Sequence, residues 1–229
     1  MKKYYILIFV SVLLNACSND QLQNHAKIVA DMWSVDKFKV DKSTFPSGKN
    51  KVTRLINLTL EDVPGLNTKT SMNNVFSLSA FKFIENFSKE EQLNYDEIKI
   101  SLIEKGEKYE KSYFISDILR VAATLKVVEI ICSNIKAGKL GEIDNYFDTS
   151  YVPNSNLSET KKTILEIETE FGKPVSSTIT GFDFNTLQGS NEPVVEVYCS
   201  LSTTSAFSLY KFIIRLADKK IIYIAINEK

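Results

Sequence analysis

Two spacings of apolar residues, every second position and every third or fourth, take turns along this chain. Phe38 and Val40 alternate with Lys37, Lys39 and Asp41, which is strand periodicity. Pro46-Ser47-Gly48 supplies turn residues. Val52, Arg54, Ile56, Leu58 and Leu60 then share one side of a second strand, with Thr53, Asn57 and Thr59 on the other. The two strands are expected to form a hairpin that ends at Pro64-Gly65. Ser71 is the expected cap of a helix running to about Phe87, on which Met72, Phe76, Ala80, Phe83 and Phe87 share a face. Lys89-Glu90-Glu91 reads as its solvated charged exit. Ile98, Ile100 and Leu102 alternate with Lys99, Ser101 and Ile103 in a third strand, and Gly106 turns the chain into a fourth from Tyr109 to Ile115. Residues 32–115 are therefore expected as a β-β-α-β-β domain, a four-stranded antiparallel sheet with one helix on a face.

The second half changes the order of elements. Ser116-Asp117 opens a long helix to about Ala137, with Ile118, Val121, Leu125, Val128, Cys132 and Ile135 as its buried stripe and Gly138 as its break. Leu119, Ala122, Ala123 and Ile131 widen the stripe, so this helix is expected to be covered on more than one side. Leu140 to Phe147 reads as a short second helix. A third, capped by Ser158, runs through Phe171 and is closed by Gly172 and Pro174. Four strands complete the chain. In Val175 to Leu187 the apolar set switches parity across Gly181: Val175 and Ile179 are odd, Phe182 and Phe184 even. One extra residue at a glycine predicts a β-bulge. Val195, Val197, Cys199 and Leu201 share the inner side of the next strand. Phe207 to Leu216 follows, and Asp218-Lys219 turns into Ile221 to Ile226.

The head of the chain has a different pattern. Met1-Lys2-Lys3 precedes Tyr4 to Leu14, apolar but for Ser11. A charged start and a short apolar core are the parts of a secretory signal. The core is too short to cross about 30 Å of hydrocarbon as a helix. It ends in Leu14-Asn15-Ala16-Cys17. An ordinary secretory signal cleaved near Ala16 and an uncleaved anchor are the competing readings. The segment resembles the lipobox of bacterial lipoprotein precursors, with Asn15 standing where such motifs more often carry Ala, Ser or Thr. The resemblance implies a signal peptide over residues 1–16 and lipidation of Cys17, the sulfur being the nucleophile that accepts the diacylglycerol. Residues 17–31 then form a lipidated N-terminus and polar spacer, and His25, the only histidine, is expected there as a solvated side chain. Ser18 rather than Asp after the cysteine favours the outer membrane over the inner, by the sorting pattern of enterobacterial lipoproteins.

Charge narrows the partners. The whole chain carries 28 basic and 28 acidic residues; without Lys2 and Lys3 the basic count falls to 26, a net charge of −2. A general nucleic-acid binder needs a basic excess to displace counterions, so none is expected. Besides Cys17 there are two cysteines, Cys132 and Cys199, both on apolar faces. In an oxidising compartment they could pair; as buried thiols they would act as small hydrophobes.

From about Asp117 onward, three helices precede four antiparallel strands, with Gly138-Lys139-Leu140, Tyr146-Phe147 and Phe171-Gly172-Lys173-Pro174 at the helix ends. Residues 116–229 resemble the NTF2-like α+β cone, in which a long curved sheet wraps a helix and leaves a pocket. That resemblance implies an apolar pocket lined by residues such as Phe182, Phe184, Val197 and Phe212. Its dehydratase members would need a His-Asp pair inside the cone, and no histidine follows His25. Isomerase-like chemistry would need a buried Asp base and an acidic or phenolic oxyanion donor. Asp183, Tyr146, Tyr198 and Tyr210 are the available groups, but the parity after Gly181 points Asp183 away from Phe182 and Phe184. Phosphate loops, Cys-x-x-Cys, metal-spaced His and Cys, nucleophile elbows and calcium loops are not found in the sequence. The expectation is an α+β, non-enzymatic envelope lipoprotein without cofactor or metal, held to the membrane by Cys17 and binding a protein partner or serving assembly. A small-molecule carrier using the C-terminal cone is the alternative.

Overall fold

A computed structural model describes residues 20–47, 52–66, 68–187 and 189–228. The chain is α+β, with two four-stranded sheets and, among the described residues, five α-helices. It divides into two compact units. One holds the residues up to Met72 and Ser79–Ile118; the other holds Asn73–Leu78 and Leu119–Lys229.

The first described element of the first unit is a helix over residues 20–32, α1. The sequence reading placed a polar spacer there. Leu22, Ala26, Val29 and Ala30 recur at helical spacing and are buried, each at most 2 % exposed. Four apolar contacts on one face are enough to dock a segment whose other positions are mostly polar. Just past the helix, the indole N–H of Trp33 donates to Ser79 Oγ at 2.9 Å and pins this end.

The sheet of this unit has the order β1 (Phe38–Pro46), β2 (Val52–Glu61), β3 (Glu97–Glu104), β4 (Glu107–Phe114). The pairs β1–β2 and β3–β4 are antiparallel, but β2 and β3 run parallel. The expected all-antiparallel sheet is corrected to a mixed one. Between β2 and β3 lie α2 (Lys69–Ile84) and α3 (Lys89–Asn94). A helical crossover returns the chain to the end where β2 began, so β3 must leave in the same direction. The central rows are apolar: Ile56 stands beside Ile98, Leu58 beside Ile100 and Leu60 beside Leu102, all fully buried.

The two crossover helices are separated by their caps. Thr68, not Ser71, is the N-cap of α2, and Ser71 closes the capping box as the third helical residue. Ser88 caps α3 in the same way with Glu91, so the charged stretch after Phe87 is a helix of its own. Phe76, Ala80, Phe83 and Phe87 are buried, as the spacing predicts.

In the second unit α4 (Ile115–Lys136) carries Val121, Leu125, Val128, Ile131, Cys132 and Ile135 inward, with Ile115–Ile118 grouping with the first unit. The expected helix over 140–147 is a single 3-10 stretch, Glu142–Tyr146. α5 (Asn154–Phe171) starts four residues before Ser158, just after Pro153, and buries Leu157, Ile164 and Ile167. Four strands, β5 (Ser176–Thr186), β6 (Pro193–Ser202), β7 (Phe207–Arg215) and β8 (Ile221–Glu228), follow as an antiparallel meander. The register slips between Ile179 and Gly181, where the parity switch predicts a bulge.

Candidate functional site

Cys17 lies outside the described residues. The four side chains expected to line a pocket come together on the inner face of the second sheet. Phe182 pairs with Val197, Val197 with Phe212, and Phe212 with Ile224, so three of the four stand in one cross-strand row. Phe182, Val197 and Phe212 are buried at 1 %, 0 % and 0 % exposure, and Phe184 is half-buried. The Phe184 ring meets Phe182 edge-on at 5.8 Å, and Phe212 stacks on the buried Tyr210 at 6.2 Å. These rings therefore contribute area burial to a core row.

The bulge has a visible cause. A Cβ on Gly181 would lie 2.3 Å from Asn74 Oδ1 and 2.9 Å from Asn74 Cα, both inside contact distance. The residues 73–78 of this unit thus press against β5 where no side chain stands. Next to the glycine, the buried backbone N–H of Phe182 donates to Ser77 Oγ at 3.0 Å.

The opposite face of the same sheet carries the polar groups. Asp183 pairs directly with Glu196, away from the Phe182 row as its parity predicts. Tyr198 donates its hydroxyl to Glu196 Oε2 at 2.9 Å, Lys211 Nζ stands 3.5 Å from the same oxygen, and Asn185 Nδ2 donates to Oε1 at 3.3 Å. Burial first, then the bond to Glu196 and the charges of Glu196 and Asp183, push the Tyr198 phenol above its ordinary range. A phenol held in its protonated form donates a hydrogen bond and does not accept a proton. The arrangement is a fixed lattice around a carboxylate with donors on both oxygens. Tyr146 ends the 3-10 stretch, away from this lattice in the chain.

His25 is the residue that the sequence reading placed wrongly. Its side chain is only 13 % exposed, with Nε2 3.3 Å from Glu91 Oε1. Its ring lies 5.7 Å from that of Phe83 and 5.2 Å from that of Phe87, and Nδ1 is buried without a hydrogen-bond partner. Burial raises the Glu91 carboxyl, but the N–H and hydroxyl of Ser88 together with His25 outweigh it and hold the group below its usual value. Nearby, Leu22, Gln23, Val40, Asp41 and Lys42 line a cleft of about 360 Å³. The spacing of Leu22, Ala26 and Val29 is the signal that could have found this helix and its histidine.

A second group missed from sequence is Arg215. Its guanidinium donates to Asp148 and Asp218 and stands 5.4 Å over the Tyr151 ring. It ties the loop before α5 to the end of β7. Among the described residues there is no cluster of three or more His, Cys, Asp or Glu side chains that could hold a metal ion. Comparison with protein-family models, with curated proteins and with solved structures gave no match.

Proposed function

We propose that this chain is the precursor of a lipid-anchored envelope protein whose two α+β units form a non-catalytic module for binding a protein or assisting assembly at a membrane surface. The observation that carries the reading is the order of charged start, short apolar core and Leu14-Asn15-Ala16-Cys17. Two features support it. The described part of the chain starts only three residues after Cys17, and three residues span at most about 10 Å, so a lipid on Cys17 would keep Asp20 near the bilayer. The polar groups on the second sheet bond one another, which suits a surface that binds more than one that turns over substrate. The order of α4, 3-10 helix, α5 and a bulged four-strand meander supports an NTF2-like reading of the second unit. Within a Gram-negative host, Ser18 favours the outer membrane.

Metabolic labelling with a fatty-acid analogue tests the anchor. The wild-type chain should carry label and Cys17→Ala should carry none. Equal labelling of the two would remove the proposal.

A further inference from the structure

We infer that Cys132 and Cys199 form a disulfide that fastens α4 to the second sheet. Both are free thiols in the structure, both 1 % exposed, with Sγ atoms 3.1 Å apart. That gap is about 1 Å more than the ~2.05 Å of a disulfide bond, a difference that side-chain rotation can close. The two positions are 67 residues apart, and the intervening chain contains the 3-10 stretch, α5 and β5. Cys132 sits on the buried stripe of α4. Cys199 sits on the inner face of β6, beside Ile179 and Tyr210. No other sulfur competes within this unit, since Cys17 is the only other cysteine.

The chemistry needs an external disulfide as oxidant. One thiolate attacks it and expels a thiol. The second cysteine then attacks the mixed disulfide and expels the other thiol. Two protein thiols lose two protons and two electrons to one sulfur–sulfur bond, and the external disulfide gains them. Burial of both sulfurs places the exchange before α4 seats on the sheet, that is, during folding. Their mutual hydrogen bond, with burial second, makes the Cys132 thiol harder to ionise once the core has closed. That order favours a structural bond that persists over one that cycles. Persistence in the cell rests on the export reading above; formation by exchange does not.

The test uses the full chain with Cys17→Ala in detergent, in which Cys132 and Cys199 are the only cysteines. The chain is refolded with oxidised glutathione, denatured, and alkylated with and without prior reduction. The expected result is no alkylation until reductant is added, then two labels, with the bond mapped to one linked peptide pair. Reduction should lower the melting temperature by about 10 °C or more, as a long closed loop implies. The same chain with Cys132→Ala and Cys199→Ala should not respond to reductant. Two labels without reduction, or two stable glutathione adducts, would overturn the proposal. A bond that forms in this test but is missing from acid-trapped chain isolated from cells leaves the pairing standing and counts against export instead.

Discussion

A histidine ring packed against two phenylalanines that also touch each other, with one nitrogen on a carboxylate and the other buried without a partner, contributes mainly as a packed surface. His25 is in that position. His25→Ala is therefore expected to destabilise the chain by about 1–3 kcal/mol, the range for a truncated buried side chain. Urea unfolding of the two proteins checks it. A midpoint shift worth less than about 0.5 kcal/mol would make the site an ordinary surface position. The contrast explains why this region was illegible as fold. Seven of the thirteen residues 20–32 are polar, so composition reads as tether, while the small residues Ala26 and Ala30 carry half of the buried stripe. The bulge at Gly181 was legible because a parity switch is written in the order of residues alone. Its cause, the approach of Asn74, depends on a segment far away in the chain and left no local sign.

Strand existence and facing followed from alternation; strand direction did not. A period of two is the same whichever way the strand runs, so Ile98, Ile100 and Leu102 could not say whether β3 runs with or against β2. The long helical stretch between β2 and β3 was the available clue, since a connection of that length can carry the chain back to start a parallel strand. Within the β3–β4 pair the cross-strand partners Ser101 and Glu110 carry a charge effect that can be measured. The Ser101 hydroxyl, itself buried, donates to Glu110 Oε1 at 2.8 Å, and Lys108 and Lys99 stand on the same oxygen. Lys108 first, then Ser101, hold the carboxyl at about 2, below its ordinary 4.5. A carboxyl whose folded value is depressed stabilises fully above the unfolded value and loses that contribution as pH falls through the folded one. The side chain is 37 % exposed, so solvent screening limits the effect to less than about 1 kcal/mol. Glu110→Gln should be less stable than wild type above pH 5, and the gap should shrink as pH falls from about 4.5 towards 2. Denaturant midpoints across that range decide the matter; a gap independent of pH would mean that folding leaves the Glu110 carboxyl unshifted.

At the scale of the whole molecule, the proposed reading needs something that holds the protein at a membrane. Among the described residues no helix is long and apolar enough to cross a bilayer. Without residues 1–16 the chain has a net charge of −2, and such a charge is repelled by anionic lipid headgroups. Attachment by surface charge is thus unfavourable, and in the proposed reading the acyl chains on Cys17 supply it, each buried methylene contributing about 0.8 kcal/mol. Ionic strength separates the two causes, because in 1 M salt the screening length falls to about 3 Å and charge-based attachment is lost. Wild-type protein is expected to stay with sedimented membranes through a 1 M salt wash and to leave only with detergent. Cys17→Ala is expected in the supernatant at physiological salt if its leader is still removed, with the same circular dichroism after purification. Release of the wild type by salt alone would point to a protein receptor with an ionic interface, and the acyl chains would then not be what keeps the protein in place.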